Sequence, residues 1–270
     1  MGGDSSAPRI DPSVSHPARR YNYWLGGKDH FAADRESGDR IEAQFPAVRR
    51  AVLANRAVLG RMTRFLAAEA GIRQFLDIGT GLPTADNTHE VAQRVAPHSR
   101  VLYVDNDPMV LAHAAALLTS SPEGRTDYIE ADLRDPAKIL ASPQLRATLD
   151  LSQPVALMLI AVLHFLSDRD EELAIVRQLV DALPSGSYLA VTHATMDFLP
   201  EPQRRAAEQL LASGVADTWP STREQFGALF DGLELVEPGV VALPEWRPDG
   251  EVAAYDPADI NMWAGLARKP

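Results

Sequence analysis

A glycine-rich turn follows the short apolar segment Phe75–Ile78 and is the first place where this sequence could hold a ligand. The turn reads Asp77-Ile78-Gly79-Thr80-Gly81. Its glycines would let the backbone approach a ligand closely and adopt torsions that other side chains disfavour. Asp77 would face the ligand from the strand end. Taken alone, the turn also fits an ordinary tight connection between a strand and a helix.

Two further carboxylates follow apolar segments at corresponding places. Asp105 comes directly after Val101–Val104, 24 residues beyond Gly81, where a carboxylate can accept hydrogen bonds from both hydroxyls of a ribose. Asp132 follows Tyr128–Glu130 and could accept a hydrogen bond from the amino group of an adenine. Either acid alone could instead cap a helix. Taken in order, the three strand ends predict a nucleotide site.

Neighbouring residues complete the predicted nucleotide site. Asn106 and Met109 would lie beside the adenine edge, and Leu133 would offer its apolar face to the ring. Pro83 replaces the third glycine of the common loop, and proline suits the first turn of the following helix. The residues of this domain assigned to cofactor binding are Asp77, Gly79, Thr80, Gly81, Pro83, Asp105, Asn106, Met109, Ala131, Asp132, Leu133 and Ala161.

Short apolar strands alternate with helices, which predicts an α/β, doubly wound sheet with right-handed crossovers. Before the first strand, apolar residues recur at three-to-four spacing from Val48 to Leu66, and Gly71 is the predicted helix stop. The predicted strands are Phe75–Ile78, Val101–Val104, Tyr128–Glu130, Val155–Leu163 and Tyr188–Thr192; the predicted helices are Thr84–Val95, Pro108–Leu118 and about 168–183.

The C-terminal part departs from this alternation. Ser221–Glu224 has the pattern of a capping box ahead of the apolar Phe226. Leu233–Val236 and Met262–Ala267 are strand-like with no crossover helix between them, so they are expected to pair antiparallel. Five parallel strands closed by such a β-hairpin are typical of class I methyltransferases, and a dinucleotide dehydrogenase does not end in this way.

Several segments also match a known family pattern. They are 17–30 (PARRYNYWLGGKDH), 75–84 (FLDIGTGLPT), 104–108 (VDNDP), 130–135 (EADLRD) and 161–166 (AVLHFL). From about residue 13 to 269 the chain resembles the S-adenosyl methyltransferases, a bacterial family long catalogued as a domain of unknown function. The resemblance implies a Rossmann-like fold, S-adenosyl-L-methionine (SAM) as cofactor and S-adenosyl-L-homocysteine (SAH) as product. It implies no particular acceptor.

Two histidines follow the fourth and fifth predicted strands and are candidate catalytic residues. His164 could orient or deprotonate an acceptor, because the ordinary pKa of histidine lies near neutrality, and His193 is the second candidate. Each could instead be a structural histidine at a strand end. No Asn/Asp-Pro-Pro-Tyr motif follows the fourth strand, which disfavours methylation of a base or a glutamine amide of that type. Methyl transfer depends chiefly on alignment, so the absence of a catalytic triad does not argue against an enzyme.

The chain is expected to comprise a flexible leader (1–18), an N-terminal helical cap segment (19–70) and a SAM-binding methyltransferase domain (71–270). We hypothesise that residues 19–34, rich in aromatics and glycines, fold over the cofactor. Tyr21, Tyr23 or Trp24 would wall the acceptor pocket, which makes Tyr21 a third catalytic candidate and Tyr23 a cofactor contact. Lys28 or Asp29 could contact the methionine end of the cofactor. Alternatively, these aromatics only pack the N-terminus onto the domain.

Composition restricts the possible partners. A net charge of -11 without a dense basic run argues against nucleic acid, and the absence of cysteine excludes thiolate catalysis and cysteine-based zinc sites. The histidines are dispersed along the sequence, so no metal site is expected. The longest apolar stretch, Pro154–Leu166, is too short to span a bilayer, and without an apolar leader the chain is expected in the cytoplasm. The expected partner is a small-molecule acceptor, and the oligomeric state stays open.

Two other functions remain compatible with the residues. A SAM-binding regulatory or interaction protein without turnover would keep Gly79, Gly81, Asp105 and Asp132 but would have no shaped acceptor pocket. A nicotinamide-dependent oxidoreductase is a third possibility. It is disfavoured by the terminal hairpin and by Thr84, which stands where the nicotinamide fingerprint has Gly or Ala.

Overall fold

The computed structural model describes residues 10–117, 119–213, 217–249 and 255–270. Three helices precede the first strand: α1 Pro17–Trp24, α2 Ala32–Gln44 and α3 Val48–Ala68. Helix α1 begins inside the segment predicted as a leader, because Pro17 suits the first helical turn and Arg19 and Arg20 are buried. The first nine residues of that leader lie outside the described residues.

A mostly parallel sheet forms the centre of the molecule. Its parallel strands are β1 Gln74–Ile78, β2 Arg100–Asp105, β3 Arg125–Glu130, β4 Ala156–Ile160 and β5 Tyr188–Ala194. The helices between these strands are α4 Thr88–Val95, α5 Pro108–Leu117, α6 Pro136–Ala141, α7 Pro143–Thr148 and α8 Arg169–Asp181. The predicted doubly wound α/β sheet is therefore confirmed.

The C-terminal part adds antiparallel strands to this sheet. The remaining elements are α9 Glu201–Ala212, α10 Arg223–Gly227, β6 Glu234–Leu235, β7 Val241–Ala242, α11 Pro257–Ile260 and β8 Met262–Arg268, with single 3-10 turns at 163–165, 228–230 and 243–245. The strand order is β3-β2-β1-β4-β5-β8-β6, and β7 also pairs with β8. The predicted antiparallel closure is confirmed, with Leu235 opposite Ala267 and β8 inserted between β5 and β6.

Both faces of the sheet are covered, as a parallel sheet requires. Leu76 and Leu102 point to one face, where α8 packs, whereas Phe75 and Val101 point to the other, where α3 packs. Every residue of β1 and β4 is buried. This explains why β4 was recognisable as a continuous apolar run. In the described part of the chain, no helix is long and apolar enough to cross a membrane.

Several predicted boundaries were wrong. Strand β4 ends at Ile160 rather than Leu163, because Ala161 has a left-handed backbone (φ 55°) and a 3-10 turn follows. Helix α4 begins at Thr88 behind an Asn87 cap, so Pro83 lies in the preceding loop instead of the first helical turn.

The predicted capping box was also misplaced by one residue. The N-cap of α10 is Thr222, whose hydroxyl accepts a hydrogen bond from the backbone of Gln225, and the Gln225 side chain accepts one from Thr222. The hydroxyl of Ser221 points elsewhere and contacts Arg169. A hydroxyl residue followed three positions later by Glu or Gln occurs twice in succession here, and the sequence pattern does not distinguish the two.

Candidate active site

A cavity of about 1060 Å³ opens at the C-terminal ends of the parallel strands. Doubly wound sheets bind ligands at this edge, where the strand order reverses. Here the reversal falls between β1 and β4. Helices α1, α3 and α9 close over the edge. Among the predicted site residues, those that line the cavity are Tyr21, Asp77, Gly79, Thr80, Gly81, Asp105, Asn106, Ala131, Asp132, Leu133, Ala161 and His164.

The glycine turn after β1 is fastened to the end of β2. Gly79 and Gly81 both have a left-handed backbone, with φ of 76° and 68°. The Gly79 N–H donates to the Val104 carbonyl at 2.8 Å, and the Gly81 N–H donates to Asp105 Oδ2 at 2.8 Å. A Cβ on Gly79 would lie 2.3 Å from Cγ2 of Val162, so the loop can approach β4 this closely only with glycine.

Asp105 is buried at the mouth of this turn. Its Oδ1 accepts from the Asp107 N–H at 3.0 Å, and its Oδ2 accepts from Gly81. Burial is the main cause of a pKa raised above the ordinary aspartate value. A carboxylate offers about four acceptor positions. Two are therefore left for a ligand with hydroxyl donors.

Asp77 is the second buried carboxylate on the cavity wall. Its Oδ2 accepts a hydrogen bond from the Thr88 hydroxyl at 2.6 Å, and it makes no ion pair with any described residue. Burial raises its pKa to about 6. A carboxylate that is costly to ionise without a partner is suited to a cationic ligand group.

The ends of β2 and β3 form a partly apolar recess. Leu133 and Ala131 are buried there. Asn106 Nδ2 donates to Asp132 Oδ2 at 3.0 Å, and Asp132 Oδ1 accepts from the Arg134 N–H at 2.8 Å. Burial acts to raise the pKa of Asp132, but the hydrogen bonds from Arg134 and Asn106 outweigh it and hold the pKa below the ordinary value. This carboxylate stays ionised and able to accept a hydrogen bond from an amino group.

A hydrogen-bonded chain links the N-terminal helices to the end of β4. The Tyr21 hydroxyl donates to the Val52 carbonyl at 3.0 Å and accepts from Asn55 Nδ2 at 3.0 Å. Asn55 Oδ1 accepts from the Thr192 hydroxyl at 2.7 Å, and Thr192 Oγ1 accepts from the Ala161 N–H at 2.9 Å. The chain stabilises the left-handed Ala161 beside the cavity. Sequence reasoning missed Asn55 and Thr192.

Two buried arginines fix α1 over the site, and sequence reasoning assigned neither. Arg19 Nε donates to Asp107 Oδ2 at 2.9 Å, which attaches α1 to the segment after β2. Both oxygens of Asp217 accept from Arg20 Nη2, at 2.7 and 2.6 Å. The Asp-Asn-Asp sequence at 105–107 could have indicated the contact with Arg19, because a second buried acid beside the predicted site needs a cationic partner.

Five predicted residues do not line the cavity. Pro83 lines a small crevice behind the glycine turn, and Met109 packs against the core under α3. The Tyr23 hydroxyl donates to Asp39 Oδ1 at 2.7 Å, away from the cavity, and Lys28 is exposed. His193 is fully buried behind the cavity wall. In α1, Tyr21 and Trp24 line the cavity and Tyr23 lies on another side, because helix geometry separates adjacent residues by about 100°.

The two candidate histidines occupy different surroundings. His164 lines the cavity, and its Nδ1 accepts a hydrogen bond from the Ala194 N–H at 3.4 Å. Burial first, then the neighbouring His193 and Arg20, lowers the pKa of His164 well below the ordinary value. With Nδ1 as acceptor, a neutral His164 carries its proton on Nε2. His193 instead contacts buried Glu172 and Ser221, at 3.3 and 3.2 Å from its Nε2.

The order of the parallel and antiparallel strands is that of the class I SAM-dependent methyltransferase fold. A SAM-dependent methyltransferase from Anabaena variabilis has the same fold, with a TM-score of 0.50 and 15% identity over 80% of this chain and 84% of that one. The family model for S-adenosyl methyltransferases matches residues 3–270, and the chain belongs to this family.

Two solved structures are much more similar. A DUF574 family protein from Streptomyces avermitilis is 50% identical, with a TM-score of 0.91 over 97% of this chain and all of that one. A protein from Thermobifida fusca that is assigned as a methyltransferase is 43% identical, with a TM-score of 0.87 over 99% of both chains. No curated protein matches the sequence.

The residues of the cavity fit SAM. In its ionised form Asp105 would retain acceptor positions for ribose hydroxyls, and the recess at Ala131 and Leu133 suits a purine. Asp77 makes no ion pair with a described residue, and the positively charged methionine part of SAM would supply one. When bound, SAM supplies an electrophilic methyl group on a sulfonium and leaves as the neutral thioether SAH. Among the described residues, no group of three or more His, Asp or Glu side chains is arranged to hold a metal ion.

SAM affinity is expected to increase with pH because of Asp77. Its carboxyl is protonated below a pKa of about 6, and only the ionised form attracts a cation. About a tenth of the sites are ionised one pH unit below the pKa, so binding at pH 5 should be roughly tenfold weaker than at pH 7. Titration calorimetry across this range measures the effect. Asp77→Asn should flatten the profile, and an unchanged profile in that variant would assign the dependence to another group.

Proposed function

We propose that the chain transfers the methyl group of SAM to a small-molecule acceptor bound beside His164. The observation that carries this proposal is the extent of the cavity. It continues from the SAM residues at β1–β3, past Ala161, to the ends of β4 and β5 and under α9. A protein that only binds SAM needs no shaped space beyond the cofactor. The alternative of a regulatory SAM-binding protein is therefore the less favoured one.

His164 is proposed to orient the acceptor rather than deprotonate it. Its pKa is lowered well below neutrality, and its Nδ1 already accepts the Ala194 N–H, so the group presented to an acceptor is the Nε2–H donor. A donor of this kind fixes an acceptor oxygen or nitrogen in one orientation, and alignment supplies much of the rate enhancement in such displacements. A proton on the acceptor would leave to water.

Tyr21 is proposed to shape the pocket without taking part in proton transfer. Burial raises its pKa above the ordinary tyrosine value, and its hydroxyl is committed to Val52 and Asn55. His193 is proposed to support the wall behind His164, since the two imidazole rings lie edge to face with centroids 5.5 Å apart. Both residues would then shape the pocket without taking part in proton transfer.

Isotope-labelled SAM incubated with a low-molecular-mass extract of a Streptomyces culture tests the proposal. The label should move into a small molecule. His164→Gln, whose amide can still donate, should keep turnover within about tenfold, whereas His164→Leu should lower kcat by about 100-fold with SAM affinity unchanged. Because a neutral His164 does not titrate near neutrality, kcat for the wild type and His164→Gln should show the same pH profile. SAM binding without transfer to any small molecule would favour the regulatory alternative.

A further inference from the structure

Helix α9 presents one side to the cavity and the opposite side to solvent. The cavity side carries Gln203, Ala206, Ala207 and Leu211, which recur at three-to-four spacing, and Leu199 precedes them. The solvent side carries Glu201, which pairs with Arg205 at 2.7 Å and also with Arg204. Amphipathic helices normally place the apolar side against protein. Here that side faces the cavity.

The surfaces opposite α9 are apolar as well. Phe165, Leu166 and Met196 line the cavity at the ends of β4 and β5. Trp219 also lines it and is 43% exposed, and its backbone N–H donates to the His164 carbonyl at 2.8 Å. A large indole ring left open to a cavity is available to pack against a ligand.

The third wall is formed by the N-terminal helices and the start of β8. Phe45, Val48 and Ala51 contribute from α3 and the segment before it, and Ile260 and Met262 contribute from the other side. The polar side chains of this half, among them His164, Gln203 and Thr195, lie between apolar neighbours. Apolar pockets with a few placed polar groups are the usual form of small-molecule sites.

The two carboxylates in this half of the cavity are paired, whereas Arg40 of α2 lines it, is exposed and makes no ion pair with a described residue. Arg20 is paired with Asp217 at 2.6 Å, and Arg50 with Asp259 at 2.7 Å. The carboxylates Asp77, Asp105 and Asp132 lie in the other half, where SAM is assigned. A cationic acceptor under α9 would therefore have to displace an existing ion pair or remain without a partner.

We propose that the acceptor is a bulky, largely apolar molecule without a positive charge that packs under α9 with its reacting polar group toward His164. This inference rests on the proposed function and adds the chemical class of the substrate. Pockets for one drug-sized ligand measure about 300–1,000 Å³. The cavity of about 1060 Å³ lies above that range, which leaves room for a sizeable acceptor beside the cofactor.

Dye binding to the SAH-loaded protein tests the substrate class independently of turnover. The probe is N-phenyl-1-naphthylamine, an uncharged apolar dye whose fluorescence rises in apolar surroundings. Wild-type protein should bind it saturably, and Ala207→Trp, which fills the cavity from α9, should weaken binding about tenfold or more. The control is Glu208→Trp, at the adjacent exposed position outside the cavity lining, which should leave dye binding unchanged.

Each variant is also titrated with SAH, which should bind all of them within about twofold of wild type because the SAM residues are untouched. If Ala207→Trp alters SAH binding, Gln203→Trp on the same side of α9 replaces it. No dye binding by the wild type, or equal binding by the cavity-filling and control variants, would overturn the inference. If the wild type does not bind SAH, the proposed function itself is wrong.

Discussion

Replacing Asp105 by alanine is expected to weaken SAM binding by about 1–3 kcal/mol, or roughly 5- to 150-fold. The substitution removes the buried carboxylate that faces the cavity from the end of β2. It also removes the acceptor that holds the Gly81 N–H at 2.8 Å and the Asp107 N–H at 3.0 Å. The glycine turn then loses one of its two ties to β2, so the loss combines a ligand contact with positioning of the loop.

Titration calorimetry with SAM and SAH measures this loss, and Glu130→Ala provides a matched control. Glu130 lies at the end of β3, directly opposite Asp105 in the sheet register, but does not line the cavity. The control should bind SAM within about twofold of wild type. Asp105→Asn separates the two contributions, because its amide oxygen can still accept from Gly81. If Asp105→Ala and Glu130→Ala bind SAM equally well, the assignment of Asp105 to the ribose is wrong.

Much of the fold could be predicted because its parallel strands are buried on both faces. The continuous apolar run in β4 is distinctive, and the ends of β1, β2 and β3 are marked by Gly79 or by an acid. In a doubly wound sheet those ends meet at one edge. The order of Asp77, Asp105 and Asp132 along the chain was therefore enough to predict that they lie at the same edge of the sheet, without any knowledge of packing.

Contacts made across long sequence separations could not be predicted in the same way. Asn55 and Thr192 are 137 positions apart, and Arg20 and Asp217 are 197 apart, with no periodic pattern that relates the partners. The left-handed backbone of Ala161 could not be predicted either, because the apolar residues after it have the pattern of a longer strand. The aromatic composition of segment 19–34 predicted that this segment lies beside the cavity. It did not predict which aromatic side chains line the cavity, because that depends on the register of helix α1.

The glycine turn after β1 contains two residues with a left-handed backbone, Gly79 and Gly81. Gly79→Ala is expected to destabilise the protein by about 2–5 kcal/mol. A left-handed backbone costs a side chain about 1–2 kcal/mol, and the clash of the new methyl group with Val162, at 2.3 Å, adds about 1–3 kcal/mol. Gly81→Ala is expected to cost only about 1–2 kcal/mol, since Gly81 has the same left-handed torsion but no atom within 4 Å of the place that a Cβ would occupy.

The pair of variants therefore separates backbone strain from crowding at one turn. Urea unfolding of both proteins without ligand gives the two free energies, and their difference isolates the contact with Val162. Equal destabilisation of the two would mean that the loop moves away from β4 at little cost, so close approach would not be the reason for glycine at 79. A larger loss of stability for Gly79→Ala would show that the turn can pack against the end of β4, beside Ala161, only because residue 79 has no side chain.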